Sequence, residues 1–336
     1  MTPRFDFFSD NTAGAAPEAM ASLIEANSGF ASGYGTDTIT QRAADLVRGL
    51  LDADAEVRFV ASGTAANAIS LAALAQPFEA VLAHEHAHIL KDETGAPVHL
   101  GHGLGLIGLE GASGKIDPSA LSRALSVPDS GHRQSPAALS ITNTTEYGTL
   151  YTDAELAVLT DQARAKGLGV HLDGARLANA AASGLDLKAI KGLGVDLLVF
   201  GGTKAGMPPT EALVVFNPKL ARRLDARLKQ AGQLPSKGRF YAAPWIGMIE
   251  TGALIAHAAH ANAMAKRLAD LMPFEVAHKI EANAVFANLP EPALAALLAK
   301  GIMVHRVEDG SVRFMCSWAT KPEAVDELGA ILKAQA

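Results

Sequence analysis

Short apolar runs that alternate with helical patterns constrain the fold of this chain more than any other feature. The runs occupy residues 57–60, 80–83, 138–141, 169–172, 197–200 and 213–216. Alanine-rich helical patterns lie between several of them, for example at residues 65–74 and 153–166. Strands that alternate with helices of about 10 to 15 residues are typical of βαβ units. We therefore predict an α/β fold with a mostly parallel sheet flanked by helices.

The last third of the chain predicts a second, smaller unit. A long alanine-rich helical pattern at residues 245–271 is suited to connect two parts. Three candidate strands follow it, at residues 274–277, 284–287 and 311–315. The length of 336 residues is compatible with two domains. We predict a large domain over residues 1–245 and a smaller C-terminal α+β domain over residues 246–336.

Composition and charge exclude several classes of protein. Hydrophobic residues make up 49% of the chain and charged residues 19%, which supports a large core and excludes disorder. The formal net charge of −6 argues against a surface for nucleic acid or anionic membranes. No apolar run reaches the ~18 residues of a membrane span, and residues 1–10 lack the apolar segment of a secretory signal. Because the single cysteine, Cys316, fits a reducing compartment, we expect a cytoplasmic protein.

A lysine follows one of the predicted strands in the segment Gly201-Gly202-Thr203-Lys204-Ala205-Gly206. Glycines on both sides of it allow the backbone to approach a ligand closely. A lysine removed from water loses its preference for the charged form and becomes an amine that can form a Schiff base. Taken alone, the segment is more typical of an exposed lysine in a loop after a strand.

An aspartate and an arginine follow the preceding strand, in His171-Leu172-Asp173-Gly174-Ala175-Arg176. Asp173 lies 31 residues before Lys204, about one βαβ unit, so we expect the two at adjacent strand ends. A carboxylate there can keep a pyridinium nitrogen protonated, and Arg176 can bind a ring hydroxyl or a substrate carboxylate. A helix cap followed by a surface arginine is the alternative.

The turn Ser62-Gly63-Thr64 is a candidate phosphate site. It joins a strand to a helix, where free backbone N–H groups and the helix dipole favour an anion. Neither a Walker motif nor a true G-x-G-x-x-G motif occurs, and the run at residues 103–108 resembles the latter only loosely. The turn by itself is a weak signal.

The segment His84-Glu85-His86-Ala87-His88 contains the H-E-x-x-H pattern of zinc proteases. That pattern binds zinc when both histidines lie on one helix, whereas here it begins at the end of a predicted strand and no third ligand follows. We therefore expect no metal site. One of these histidines is instead a candidate to stack on a flat cofactor ring.

Together these motifs resemble one family. The order of SGTAAN at residues 62–67, HLDGAR at 171–176 and FGGTK at 200–204 is similar to that of the low-specificity L-threonine aldolases. These enzymes, with the phenylserine aldolases, belong to the β-eliminating lyase group of fold-type-I pyridoxal-phosphate enzymes. Further segments resemble the family at residues 7–12, 33–37, 233–240 and 312–314. The resemblance covers about residues 5–320.

The resemblance implies a fold-type-I fold, with pyridoxal 5'-phosphate held as a Schiff base on Lys204. It implies cleavage of L-threonine, L-allo-threonine and related β-hydroxy-α-amino acids, phenylserine among them, to glycine and an aldehyde. Asp173 would pair with the ring nitrogen, and His88 would stack on the ring. Gly63 and Thr64 would bind the phosphate.

Further roles follow from the same resemblance. Lys237 or Arg239 would assist at the phosphate. The substrate carboxylate would be bound by Ser9, Arg176 and Arg313. Family members assemble so that a neighbouring subunit completes each site, which implies a homotetramer and a role for Tyr34. No nucleic acid, membrane or metal partner is implied.

The residue that takes the proton of the β-hydroxyl is left open. Many family members carry an N-T-H-N segment whose histidine lies over the site, whereas here Asn143-Thr144 is followed by Thr145-Glu146. His88, or a water molecule that it orients, is the leading candidate.

Another fold-type-I lyase or an aminotransferase would use the same cofactor residues. Two rival classes of protein are a zinc hydrolase and a nucleotide-binding module.

Overall fold

The computed structural model describes residues 2–336. Its largest feature is a seven-stranded sheet. The strands are β1 (Glu56–Val60), β2 (Glu79–His84), β3 (Gly105–Leu109), β4 (Ser135–Thr142), β5 (Gly169–Gly174), β6 (Leu197–Gly201) and β7 (Glu211–Val215). Their spatial order is β1-β7-β6-β5-β4-β2-β3. Strand β7 is antiparallel to both of its neighbours and every other pair is parallel, so the predicted mostly parallel sheet is confirmed.

Strand β3 lies outside the predicted set because it comes from the glycine-rich run at residues 103–108. Glycine weakens strand propensity, so the run gives little strand signal. The structure shows what the glycines provide at this edge of the sheet. A methyl group at Gly108 would lie 3.1 Å from the Glu85 backbone, and one at Gly105 would lie 3.3 Å from the Ala80 side chain. Close packing therefore explains the glycines in this strand.

Helices cover both faces of the sheet. The helices are α1 (Pro17–Ala26), α2 (Thr38–Leu51), α3 (Gly63–Leu74), α4 (His88–Lys91), α5 (Ala96–Leu100), α6 (Pro118–Ser126), α7 (Asp153–Ala165), α8 (Leu177–Ala182), α9 (Pro218–Ala221), α10 (Leu224–Gln230), α11 (Arg239–Glu250), α12 (Ala253–Leu271), α13 (Glu291–Ala299) and α14 (Pro322–Lys333). Leu197 and Val199 of β6 pack into the core under α3, while Leu198 and Phe200 point into the opposite core. Within residues 2–336, no helix combines the length and the apolar content that crossing a bilayer requires.

The prediction of a single long helix over residues 245–271 is wrong. The chain forms two helices there, α11 and α12, which are separated at Gly252. Gly252 has a φ of 74°, a left-handed conformation that glycine adopts without strain. Helix α11 packs on α1 and α2, whereas α12 packs on α8 and α14. The alanine-rich pattern continues across the turn, so hydrophobic periodicity does not reveal it.

A second sheet follows α12. It has three antiparallel strands in the order β8 (Ala284–Ala287), β10 (Val312–Met315), β9 (His305–Arg306). The strands predicted at residues 284–287 and 311–315 are confirmed, whereas residues 274–277 contribute a single bridge from Val276 to Ala287. Phe7 packs into the core of this unit with Phe314 and Leu328, so the N-terminal segment is part of that core. The domain boundary at residue 245 stays a prediction.

Candidate active site

The carboxyl ends of the parallel strands open onto two adjoining cavities of about 420 and 60 Å³. Four residues line both cavities: His88, Glu146, Arg176 and Lys204. Two further residues that the sequence predicts, Ser9 and Arg313, line the larger cavity. Gly63, Thr64 and Asp173 line the smaller one. The structure therefore brings together eight of the predicted residues, which come from distant parts of the chain.

Lys204 lies in a short 3-10 helix, Thr203–Ala205, directly after β6. The turn is held by Glu211, whose Oε2 accepts a hydrogen bond from the Gly202 N–H at 2.7 Å. Burial, together with the nearby Arg176 guanidinium, lowers the pKa of the Lys204 ammonium. A lowered pKa increases the fraction of neutral amine, the form that reacts with a carbonyl.

Asp173 is the next-to-last residue of β5, which pairs in parallel with β6, the strand that leads to Lys204. Its Oδ2 accepts from Asn67 Nδ2 at 2.9 Å and its Oδ1 from the Ala175 N–H at 3.0 Å. The side chain is therefore fixed in the wall of the smaller cavity. The predicted position of Asp173 beside Lys204 is confirmed; the role of each residue stays a prediction.

His88 is joined to Asp173 through buried polar groups. Its Nδ1 contacts Oε1 of Glu93 at 2.9 Å, and the same oxygen accepts from Asn67 Nδ2 at 2.8 Å. Hydrogen bonding to Glu93 raises the pKa of the His88 imidazole, although burial opposes this. The imidazole is thus oriented by a carboxylate while its ring faces both cavities.

The start of α3 fits an anion. Ser62 caps the helix, with its Oγ accepting from the Ala65 N–H at 3.3 Å. The N–H groups of Gly63 and Thr64 occupy the first helical positions, where no partner exists within the helix. A methyl group added at Gly63 would meet no atom within 4 Å, so there is room above these donors. Free donors, the helix dipole and open space together suit a phosphate.

Two guanidinium groups border the larger cavity and differ in their partners. Arg176 donates to Asp10 through Nε at 2.6 Å and through Nη2 at 3.0 Å. Burial opposes the charge on Asp10, yet its Arg176 partner lowers the Asp10 pKa below the usual value. Arg313 has no carboxylate partner within residues 2–336; its Nη2 donates to the Phe8 carbonyl at 3.3 Å and its buried Nε has no acceptor.

Three predicted residues border neither cavity in a single chain: Tyr34, Lys237 and Arg239. The Tyr34 side chain is exposed, with the Lys229 Nζ 4.5 Å from its ring centroid. Its N–H donates to the Ser236 carbonyl at 3.2 Å, so the segment around Tyr34 packs on the loop before α11. The Arg239 guanidinium lies 5.2 Å from the Phe240 ring. The contact with Ser236 joins Tyr34 to the segment that contains Lys237 and Arg239.

The H-E-x-x-H pattern does not form a zinc-protease helix. His84 is the last residue of β2 and His88 is the first of α4, so the two do not share one helix. His84 Nε2 contacts the Gly111 carbonyl at 3.0 Å, while His88 faces Glu93. Different elements and different partners separate the two histidines.

Several polar residues at the site were outside the prediction: Asp10, Asn67, Glu93 and Glu146. Asp10 and Asn67 stand inside motifs that carry the family resemblance, so those motifs were the signal that could have found them. Glu93 lies just after the four-residue helix α4, and Glu146 lies in the loop after β4. Neither position has a periodic pattern that indicates which way the side chain points. Burial of these carboxylates follows only from the folded chain.

The donor set fits pyridoxal phosphate. Ten buried side-chain atoms within residues 2–336 lack a hydrogen-bond partner, and five of them belong to residues that line these cavities: Asn67, Glu93, Thr144, Glu146 and Arg313. An unsatisfied buried group costs about 1–3 kcal/mol, so a ligand whose polar groups pair with these atoms would be stabilised in the cavities. A lysine, a facing carboxylate, an imidazole and a helix N-terminus match the aldehyde, ring nitrogen, ring face and phosphate of the cofactor.

Comparisons with known proteins identify relatives of this chain. A family model described as beta-eliminating lyase matches residues 6–291. A curated low specificity L-threonine aldolase of a Pseudomonas species is 42% identical, covering 98% of this chain and 97% of that protein. A protein of the same name from Pseudomonas aeruginosa is 42% identical, with coverages of 96% and 95%. A solved threonine aldolase structure from Leishmania major matches with a TM-score of 0.93 at 31% identity, covering 98% of each chain.

The fold and the site define a fold-type-I pyridoxal-phosphate enzyme, as predicted. The chain belongs to the beta-eliminating lyase family. Its predicted resemblance to the low-specificity L-threonine aldolases is confirmed by these relatives.

The buried Asp10–Arg176 pair generates a prediction about stability. Asp10→Asn should lower the free energy of unfolding at pH 7 by about 3–5 kcal/mol, because it leaves Arg176 buried without a counter-charge. The control is Glu250→Gln, which removes the exposed Arg42–Glu250 pair and should cost at most ~1 kcal/mol. Urea unfolding followed by circular dichroism measures both.

The pH dependence of this prediction has a defined sign. The folded-state pKa of Asp10 is lowered, so its stabilisation is complete above the unfolded value of about 3.9 and is lost as pH falls through the lower folded value. The difference in the free energy of unfolding between wild type and Asp10→Asn should therefore disappear only at acidic pH. Equal losses for the two variants at pH 7 would show that burial adds nothing to this pair.

Proposed function

We propose that this protein cleaves L-threonine, L-allo-threonine and related β-hydroxy-α-amino acids, phenylserine included, to glycine and an aldehyde. The observation that carries the proposal is a pair of adjoining cavities that hold Lys204 of lowered pKa, Asp173 beside it and the unpaired Arg313. The two Pseudomonas relatives named low specificity L-threonine aldolase support this reaction type. Enzymes of the family depend on pyridoxal phosphate.

Five residues would hold the cofactor. When bound, pyridoxal phosphate supplies an electron sink for bonds at the substrate Cα, which no side chain offers. Lys204 would carry it covalently, and Asp173 would hold a proton on the ring nitrogen. His88, oriented by Glu93, would pack on the ring face. The N–H groups of Gly63 and Thr64 would bind the phosphate.

Arg313 would bind the substrate carboxylate, because its guanidinium lacks a carboxylate partner within residues 2–336. Arg176 gives two of its nitrogens to Asp10, so it would add a fixed charge and one remaining nitrogen. Ser9 borders the same cavity. Holding the carboxylate sets the angle between the Cα–Cβ bond and the cofactor ring, which decides which bond breaks.

Replacement of the lysine tests the chemistry. Lys204→Ala should lower turnover of L-threonine on the order of 1,000-fold or more, equal to ~4 kcal/mol of transition-state stabilisation. Borohydride should fix the cofactor on the peptide that contains residue 204 in wild type and not in the variant, as mass spectrometry will show. Lys333→Ala, on the exposed end of α14, is the control. Fixation of the cofactor on a different lysine would contradict the assignment of Lys204.

The products separate the proposal from its rivals. Glycine and acetaldehyde from L-threonine indicate an aldolase, whereas a 2-oxo acid indicates an aminotransferase. Activity that a chelator abolishes and borohydride spares would indicate a zinc hydrolase.

Replacement of Arg313 tests the carboxylate site. Arg313→Lys should raise the KM for L-threonine and for phenylserine together by about 10-fold, because one ammonium cannot reproduce the planar fork. The visible cofactor band should persist, since the cofactor does not need this arginine. Arg267→Lys, a charge-conserving change at an exposed arginine of α12 that borders neither cavity, is the matched control. Unchanged KM values for both substrates would exclude Arg313 from the carboxylate site.

We also propose a cytoplasmic homotetramer of close dimers. Tyr34 is exposed and borders neither cavity in one chain, which suits a residue that completes a neighbour's site. Lys237 and Arg239 border neither cavity either and would reach a neighbour's phosphate in the same way. Sedimentation should show a tetramer at the assay concentration, and Tyr34→Ala should lower activity without altering the fold. A fully active monomer would contradict both the assembly and the role of Tyr34.

A further inference from the structure

Glu146 stands between the two cavities. It follows β4, which pairs in parallel with β5 on one side and β2 on the other. Its side chain therefore emerges between Asp173, at the end of β5, and His88, just beyond β2. Glu146 lines both cavities, together with Lys204 and Arg176. The roles proposed above assign this carboxylate neither to the cofactor nor to the substrate carboxylate.

The two oxygens of Glu146 have different surroundings. Oε1 accepts a hydrogen bond from the His88 N–H at 2.9 Å, which fixes the side chain. Oε2 has no exposed surface and no hydrogen-bond partner. The Oγ1 of Thr144, which also lines the smaller cavity, is buried and unpartnered as well. A buried acceptor is costly to leave unpaired, so a ligand hydroxyl at Oε2 would remove that cost.

We propose that Glu146 is the catalytic base that takes the proton of the substrate β-hydroxyl, an inference that rests on the retro-aldol cleavage proposed above. The proton passes from the hydroxyl to Oε2, and the O–H electron pair becomes the second bond of the aldehyde carbonyl. The Cα–Cβ bond breaks, and its electron pair stays on Cα, next to the electron sink. A proton then adds to Cα to give glycine. No oxidant or reductant is needed.

The electrostatics of the site support this role. Burial raises the pKa of Glu146 to about 6, and the Asp173 charge contributes to the rise. A base with a pKa near the working pH combines a large ionised fraction with a useful affinity for the proton. Several titratable side chains around Glu146 also bear on its ionisation: His88, Tyr147, Tyr151, Arg176 and Lys204.

His88 is less suited to this step. Its Nδ1 is bonded to Glu93, and that contact favours the protonated imidazole. A protonated imidazole has no lone pair left to accept a proton. Glu146 lines the same cavity, and its Oε2 has no hydrogen-bond partner. These contacts therefore suit His88 to orientation and Glu146 to proton transfer.

The experiment is Glu146→Gln in the cofactor-loaded enzyme. The amide keeps an oxygen for the His88 N–H but cannot accept a proton, so kcat/KM for L-threonine cleavage should fall by about 100- to 10,000-fold. In wild type kcat/KM should decline as pH falls below about 6, because Glu146 becomes protonated. Glu146→Gln should lack this decline.

Three further measurements separate proton transfer from structure. Exchange of the glycine α-hydrogen with D2O does not involve a β-hydroxyl, so NMR should show a near-normal rate in Glu146→Gln. The Kd for pyridoxal phosphate, from absorption titration of the apoprotein, should stay within about 3-fold. The melting temperature of the apoprotein should also be unchanged. In the control Glu211→Gln, which removes another buried carboxylate that borders neither cavity, the decline near pH 6 should persist.

Each contrary result has a distinct meaning. If Glu146→Gln cleaves L-threonine with the kcat/KM of wild type and keeps the decline below pH 6, the proton must pass to His88 or to water. That result would overturn the proposal. Loss of cleavage together with loss of α-hydrogen exchange and cofactor affinity would overturn it as well, because Glu146 would then only position His88. A wild-type enzyme that exchanges the glycine α-hydrogen but cleaves no β-hydroxy-amino acid would instead overturn the proposed function, and the inference with it.

Discussion

Parallel pairing of β4, β5 and β6 is the constraint on which the rest of this molecule depends. Asp173 sits in register with Thr142 of β4 and Val199 of β6, so the loops after the three strands rise from the same edge. Those loops carry Glu146, Arg176 and Lys204, which are far apart in sequence. A one-residue slip in register would turn Asp173 to the opposite face. The cores on both faces of the sheet hold the register, because each contains alternate residues of β6.

The ionisable side chains around Lys204 cannot all be charged at the same time without a cost in free energy. Five carboxylates surround three strong cations: Asp10, Glu93, Glu146, Asp173 and Glu211 with Arg176, Lys204 and Arg313. Like charges in a poorly solvated cavity disfavour one another. Burial raises the pKa of Glu146 to about 6 and that of Glu211 to about 7, while it lowers the pKa of Lys204. Asp10 is the exception, because Arg176 keeps it ionised. The site therefore combines one fixed ion pair with groups poised to move protons.

Sequence reasoning predicted six of the seven strands of the large sheet and the adjacency of Asp173 and Lys204, because both depend on local pattern and on the regular spacing of βαβ units. It missed β3, since glycines needed for close packing hide strand propensity. It missed the turn at Gly252, because alanine fits either side of the break equally well. Glu93 and Glu146 had no local signal, since their importance arises from burial, which tertiary packing decides.

The N-terminal segment links the two cores and the site in a way that no local pattern predicts. Phe7 packs into the second core, and its carbonyl accepts from the Met315 N–H at 2.9 Å. The next carbonyl, that of Phe8, accepts from Arg313, and Asp10 binds Arg176 beside the large sheet. The segment from Phe7 to Asp10 thus connects the strand that carries Arg313 to the loop that carries Arg176. Any shift of the second unit would move Arg313 relative to Lys204, so the substrate-carboxylate site proposed at Arg313 depends on the packing of Phe7.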